Sequence, residues 1–198
     1  MSNIAFTLDT LDWRAWLEIV PLETATSEQI AVLEESHPTA KQSDYYRLLI
    51  HDVPALRERS RLYQAIMYGS GGLPRADREL AATAESRFNG CPYCASVHSR
   101  FFAQLRKDEP TIRRLLDEGT DTPLGPRDRA VVDYAVALAS TPPSPHAGHL
   151  RALRAEGLSE AEILDLTNAV AMFAWANRLM QSLGEAIRPP APEAAIGA

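Results

Sequence analysis

Four side chains that can move protons or electrons stand close together in the segment 78–100. Cys91 and Cys94 are the only cysteines of the chain and form a Cys-x-x-Cys pair. His98 follows the second cysteine by four residues, and Glu79 precedes the first by twelve. Two thiols at this spacing can form a reversible disulfide, a thiolate is a nucleophile, and an imidazole with a carboxylate can move its proton. The segment therefore indicates redox chemistry at the thiols.

The cysteine pair is predicted to open a helix. Asn89 and Gly90 both tolerate the left-handed conformation that ends a preceding helix. Pro92 suits the first turn of the next one, where its missing N–H has no effect on the hydrogen-bond ladder. Cys91 is therefore expected at or near the N-cap of this second helix.

Helical geometry brings the other two groups toward the thiols. His98 lies one turn after Cys94 and on the same face. Glu79 lies about three turns before the end of the preceding helix. If the two helices pack antiparallel, its carboxylate approaches the same face. We therefore expect two thiols, an imidazole and a carboxylate around one pocket.

These residues resemble the Glu-x11-Cys-x-x-Cys-x-x-x-His signature of the alkyl hydroperoxidase D (AhpD) and carboxymuconolactone decarboxylase superfamily. The resemblance implies that Cys94 attacks a peroxide, that Cys91 resolves the product, and that Glu79 and His98 form a proton relay. The hydroperoxidase has a second His directly before the second cysteine. This chain has Tyr93 there, which is not a base near neutral pH.

The resemblance also implies an activity and partners. The expected protein is a thiol-dependent peroxidase that reduces alkyl hydroperoxides without a cofactor. A dithiol reductant, either a protein or a lipoyl-type molecule, would restore the thiols. The expected assembly is a homo-oligomer, either a dimer, a trimer or a hexamer.

Several alternatives remain open from the residues. The chain could be a carboxymuconolactone decarboxylase-type lyase, although decarboxylation has no use for a dithiol. It could be a non-catalytic oligomer whose assembly responds to the disulfide. At the site itself, Cys91, Cys94 and His98 could supply three ligands of a structural zinc ion, or the thiols could be an inert buried pair.

Composition narrows the class of partner. The chain has 198 residues, of which 45% are apolar and 23% charged, and its formal net charge is −6. With a pI near 5.4, nucleic acid and anionic membranes are not expected partners. We recognise no transmembrane run and no signal peptide, so two cysteines at this spacing indicate a cytoplasmic redox pair.

The pattern of apolar residues and helix caps predicts an all-α fold, an AhpD-like helical bundle. An N-terminal arm (1–25) would precede a helical domain (26–187) and a flexible tail (188–198). Trp13, Trp16, Leu17 and Val20 have helical spacing, and the two tryptophans could fill the domain's own core or dock on a neighbouring subunit. The other expected helices cover 27–35, 43–51, 53–67, 74–88, 92–106, 108–118, 126–140, 146–156 and 159–183.

The site helix pair is predicted to occur twice, as an active copy (73–106) and a degenerate one (124–156). Shifting the sequence by 51 residues aligns seven identical residues, among them His98 with His149. The second copy lacks the reactive groups, with Ala130 for Glu79, Pro142 for Cys91 and Pro145 for Cys94. His149 then has no thiol to deprotonate, and we interpret it as structural.

Other polar and aromatic residues are interpreted as structural. Glu85 is expected on the surface. The aromatic residues of segments 43–51 and 53–67, which include Tyr45, Tyr46 and Tyr63, are expected in the core. His51 and His146 are expected to be surface or capping residues.

Overall fold

The computed structural model describes residues 4–189, which form nine α-helices and one two-stranded ribbon. The strands are β1 (Asp12–Ala15) and β2 (Gly184–Ile187). The helices are α1 (Ser27–Ser36), α2 (Asp44–Leu49), α3 (Val53–Tyr68), α4 (Arg75–Phe88), α5 (Pro92–Arg106), α6 (Glu109–Glu118), α7 (Pro126–Ala139), α8 (Ala147–Ala155) and α9 (Glu160–Leu183). A short 3₁₀ turn, Ala40–Gln42, precedes α2. The all-α prediction of an AhpD-like bundle is confirmed, and the ribbon is its only β structure among the described residues.

Local sequence sets where the helices begin. Thr26 and Gln29 form a capping box at the start of α1, and Ser159 and Glu162 form another at the start of α9. Each pair satisfies two backbone N–H groups that the helix leaves unbonded. The helix boundaries predicted from these caps agree with the structure to within one or two residues.

Helix α4 lies at the centre of the bundle. It packs against α5, α7 and α9, and every residue from Asp77 to Ser86 is buried. A helix that is buried on all sides places its polar residues in a low-dielectric interior, where each needs a partner. Asp77, for example, accepts from Arg106 at 3.1 Å and from Arg127 at 2.8 Å. This central helix carries Glu79.

The N-terminal segment differs from the prediction. No helix forms within residues 8–20; instead, β1 pairs antiparallel with β2, with Asp12 opposite Ile187 and Ala15 opposite Gly184. Trp13 is buried, whereas Trp16 is 51% exposed. The helical spacing was misleading because the burial of Trp13 depends on a segment more than 160 residues away in sequence. Trp13 therefore fills the protein's own core.

Two sequence predictions concern the chain as a whole. Within residues 4–189, no helix combines the length and the apolar character that crossing a membrane requires. The predicted flexible tail lies, from residue 190 onward, outside the described residues. The division into arm, domain and tail stays a prediction.

Candidate active site

The two thiols lie at the start of α5, as the sequence predicts. Gly90 has a φ of 76°, which ends α4, and Cys91 is the N-cap residue of α5 with Pro92 next to it. The Cys91 N–H donates to the carbonyl of Ser86 at 2.9 Å. Both thiols are free and buried, and they hydrogen-bond to each other. The two thiols therefore lie side by side at a helix N-terminus.

The pKa values of the two thiols move in opposite directions. The hydrogen bond from Cys94 lowers the pKa of Cys91, and the backbone N–H groups of Tyr93 and Cys94 lower it further, against the effect of burial. The same hydrogen bond, together with burial, raises the pKa of Cys94 well above its usual value. Of the two thiols, Cys91 is therefore the one that gives up its proton more readily. The attacking role that the resemblance gives to Cys94 stays a prediction.

Glu79 and His98 meet as the sequence predicts. The His98 Nδ1 lies 2.6 Å from Glu79 Oε2, and both side chains are almost fully buried. The other carboxylate oxygen, Oε1, accepts from Arg75 at 2.5 Å. The His98 ring also packs edge-on against Phe173, with centroids 4.2 Å apart. The imidazole is therefore held in one orientation, and Nε2 is the nitrogen left to exchange a proton.

Arg75 is a site residue that sequence reasoning missed. Its guanidinium carbon lies 3.9 Å from the Tyr68 ring centroid. Arg75 stands one turn before Glu79 in α4, and its guanidinium bonds to the Glu79 carboxylate. The available signal was an Arg four residues before Glu79, the spacing of a helical ion pair. Arg75, Glu79 and His98 thus form one continuous chain of hydrogen bonds.

A cavity of about 230 Å³ opens beside these groups. Cys94 and His98 lie on its wall. Five of the chain's six tyrosines line it as well: Tyr45, Tyr46, Tyr63, Tyr68 and Tyr93. Tyr45, Tyr46 and Tyr63 belong to or pack against the apolar clusters, as the sequence predicts, and they also face this space. A larger cleft of about 960 Å³, between α5, α6 and residues 8–9, has no thiol on its wall.

One known protein family resembles part of this chain in sequence. Residues 54–137 match the model of the carboxymuconolactone decarboxylase family. The resemblance found in the sequence is confirmed. No curated protein sequence matches the chain.

Solved structures share the AhpD-like fold. A peroxidase-related protein from Silicibacter sp. TM1040 is 21% identical, with a TM-score of 0.71, over 85% of this chain and 89% of that one. An alkylhydroperoxidase AhpD core protein from Ralstonia eutropha JMP134 is also 21% identical, with a TM-score of 0.72, over 85% and 90% of the two chains. The debrominase Bmp8 is 16% identical, with a TM-score of 0.68, over 89% and 91%. These structures establish the AhpD-like fold of the chain.

Glu85 corrects another sequence interpretation. It is fully buried, not on the surface, and its carboxylate accepts from the side-chain amides of Asn89 and Asn177. Burial, followed by the nearby Cys91, raises the pKa of Glu85 to about 8. Sequence reasoning missed this residue because its burial depends on α9, which lies over 90 residues further along the chain.

The second helix pair shows contacts equivalent to those of the first. Arg78 donates to the carbonyls nine and seven residues before it, Gly69 and Gly71. Arg129, its counterpart after the shift of 51, donates to the carbonyls at the same two offsets, Thr120 and Thr122. These matched loop contacts support the repeat, whose full superposition stays a prediction.

One arginine connects the first helix pair to the second. Arg106 bonds Asp77 at 3.1 Å and its shifted counterpart Asp128 at 2.7 Å.

His146 is the N-cap of α8, and His149 accepts its backbone N–H at 3.2 Å. The predicted capping role of His146 is confirmed. Within residues 4–189, no cluster of three or more His, Cys, Asp and Glu side chains is arranged to hold a metal ion.

Proposed function

We propose that the protein is a thiol-dependent peroxidase that reduces organic hydroperoxides. The observation that carries the proposal is one cavity wall with the Cys94 thiol and the His98 imidazole, the latter held by Glu79 at 2.6 Å. A nucleophile, a base and a group that orients the base are the parts that attack on a peroxide oxygen requires. No added cofactor enters this chemistry.

The first step consumes the peroxide. His98 takes the proton of Cys94, and the sulfur attacks the terminal peroxide oxygen while the O–O bond breaks. The proton then passes from His98 to the departing alkoxide. The products are an alcohol and a sulfenic acid on Cys94. Glu79 stabilises the imidazolium that forms between these two transfers.

The second step forms the disulfide. The Cys91 thiolate attacks the sulfur of the sulfenic acid, the S–S bond forms, and hydroxide leaves to become water with one proton. The lowered pKa of Cys91 favours the formation of this thiolate. An external dithiol then reduces the disulfide and is itself oxidised. The proposal places the protein in the cytoplasm, where such reductants are maintained.

Cysteine variants test the assignment of roles. With an organic hydroperoxide and a dithiol, Cys94→Ser should abolish turnover. Cys91→Ser should leave a sulfenic acid on Cys94 that dimedone traps, as mass spectrometry would detect. A dimedone adduct on Cys91 in the Cys94→Ser protein would reverse the two roles. If the wild-type protein consumes no peroxide with any of several dithiols, the peroxidase proposal is refuted.

Reductive debromination of an aromatic ring is a second candidate, favoured by the aromatic lining of the cavity. A cysteine-to-alanine variant of Bmp8 is known in complex with 2,3,4-tribromopyrrole and shares this fold at 16% identity. In such a reaction two thiols become a disulfide, a C–H bond replaces the C–Br bond, and bromide and a proton are released. Bromide release from a bromoaromatic in the presence of a dithiol, without peroxide consumption, would favour it.

The lyase alternative has a direct assay. Decarboxylation of a lactone acid that persists in both cysteine variants would favour it, because that reaction needs no dithiol.

We also propose that the protein is a homo-oligomer. Large apolar side chains remain exposed on the single chain, including Trp16, Leu17, Leu62, Leu164 and Trp175. Apolar surface of this kind is often covered in an assembly. Light scattering should give a mass of at least twice 21.8 kDa. A mass that changes with disulfide formation, without peroxide turnover, would favour the non-catalytic redox-responsive oligomer instead.

A further inference from the structure

One positive charge in the wall of the thiol cavity lacks an anionic partner. Arg59, in α3, is 9% exposed and lines the cavity. Its guanidinium carbon lies 5.8, 5.6 and 4.7 Å from the ring centroids of Tyr45, Tyr46 and Tyr63. Its Nη1 donates to the Tyr46 hydroxyl at 3.3 Å, and its buried Nε has no partner.

A buried arginine is normally paired, because removing a charge from water is costly. Arg78 illustrates the usual solution. Its Nε is also buried without a partner, but its other nitrogens donate to the carbonyls of Ile66, Gly69 and Gly71 and pair with Asp165. Within residues 4–189, by contrast, no carboxylate oxygen lies within 4.0 Å of the Arg59 guanidinium nitrogens. The Glu79 carboxylate on the same side of the bundle is already bound by Arg75 and His98.

The phenols around Arg59 do not supply the missing negative charge. Burial raises the pKa of Tyr45 and of Tyr63, and it raises that of Tyr93 to about 12. These hydroxyls are therefore neutral at physiological pH. The Cys94 thiol, with its raised pKa, is neutral at rest as well. None of these side chains therefore neutralises the charge of Arg59.

We infer that Arg59 binds the carboxylate of a small aromatic acid, and that this is the substrate class of the cavity. Guanidinium N–H groups match a carboxylate in geometry and charge. The Tyr45 hydroxyl, on a ring beside Arg59, is also buried without a partner and offers a further donor. The flanking tyrosine rings provide flat apolar walls for an aromatic ring.

Size limits the ligand. The cavity of about 230 Å³ is smaller than the ~300–1,000 Å³ typical of sites for drug-sized molecules. It therefore suits an acid with a single ring. The reacting group would lie at Cys94, and this part of the inference rests on the proposed peroxidase function, whereas carboxylate binding at Arg59 does not.

Binding can be measured apart from turnover. The Cys94→Ser protein is titrated by calorimetry with para-isopropylbenzoate and with the uncharged para-isopropylbenzyl alcohol. The carboxylate should bind about 10- to 100-fold more tightly, the range expected for hydrogen bonds to a charged group. Adding Arg59→Met should remove this preference. Adding Arg61→Met, an exposed arginine two residues later in α3, should leave it intact.

Two outcomes of the titration would overturn the inference. One is equal binding of the acid and the alcohol by the protein that retains Arg59. The other is a preference that survives Arg59→Met. If Arg59→Met does not fold, as circular dichroism would reveal, Arg59→Lys retains the charge but not the paired donors. It should keep a weaker preference, and an unchanged preference would contradict the inference.

Turnover separates this inference from the proposed function. Cumene hydroperoxide and its para-carboxylated derivative differ only in the charged group. The ratio of kcat/KM for the carboxylated peroxide to kcat/KM for cumene hydroperoxide should exceed unity in the wild-type protein. Arg59→Met should bring this ratio to unity. If Arg59 only stabilised a thiolate, the variant would slow both peroxides equally and keep the ratio, which would refute the inference. If neither peroxide reacts but the acid still binds through Arg59, the inference stands and the peroxidase proposal fails.

Discussion

Replacement of Glu85 by glutamine should stabilise the protein at neutral and alkaline pH. The Glu85 carboxyl group is fully buried and accepts from the amides of Asn89 and Asn177. Burial is the largest cause that raises its pKa from 4.5 to about 8, and the charge of Cys91 adds to it, against Arg178 and the Asn177 hydrogen bond. A glutamine amide has nearly the same shape and no charge to bury, provided that Asn89, at the end of α4, rotates its amide to accept.

The sign follows from proton linkage. Between pH 4.5 and about 8 the folded protein keeps the proton on Glu85, whereas the unfolded chain has lost it. Stability therefore falls as pH rises through this interval and levels off above it. From pH 4.5 to pH 7 is about 2.5 pH units, and each unit corresponds to ~1.36 kcal/mol. The free energy of unfolding should therefore be lower by roughly 3 kcal/mol at pH 7 than at pH 4.5. Glu85→Gln should recover a large part of this difference.

The assay is urea unfolding at several pH values from 4.5 to 8.5. The wild-type free energy of unfolding should decrease across the range relative to Glu85→Gln. The control is Glu58→Gln, which changes an exposed glutamate of α3 in the same way and should follow the wild-type profile. A Glu85→Gln protein with the wild-type pH dependence would refute the assignment of the raised pKa to this residue.

Three further predictions concern the site. His98→Ala and Glu79→Gln should each slow peroxide reduction by about 10²–10⁴-fold, the usual contribution of a proton-transfer group, with unchanged circular dichroism. Cys94→Ala should raise the pKa of Cys91, because the hydrogen bond that stabilises its thiolate is lost; thiolate ultraviolet absorbance during a pH titration measures this, and an unchanged pKa would contradict the account. His149→Ala should leave peroxide turnover near the wild-type rate, and loss of activity in a stable, normally assembled protein would reject its structural interpretation.

The local part of the structure could be predicted from sequence. The caps at Thr26 and Ser159 and the break at Gly90 act within a few residues, so helix starts and the N-cap position of Cys91 followed from them. The Glu79–His98 contact was predictable because one short turn joins their antiparallel helices, and an antiparallel pair brings opposite positions together.

The rest of the site depends on contacts between distant segments. Arg59 and Tyr63 come from α3, whereas Cys94 comes from α5, and no local pattern places them around one cavity. Glu85 lies in an amphipathic-looking helix, and only the packing of α9 shows that its face is interior. The ribbon was missed because four-residue strands give too short an alternation to detect, and the spacing of Trp13 and Trp16 mimics a helix.

The pairing of β1 with β2 fixes a tryptophan whose fluorescence can report the redox state of the two thiols. Trp13, fixed in β1, packs in the same apolar cluster as Cys91 and Cys94, and its indole N–H donates to the Met180 carbonyl at 3.1 Å. The other two tryptophans are 51% and 43% exposed. A buried indole beside a dithiol changes its fluorescence when the sulfurs become a disulfide, because disulfides quench excited indoles. With both exposed tryptophans replaced by phenylalanine, the emission of this single residue would report each oxidation and reduction of the pair in real time and without a label.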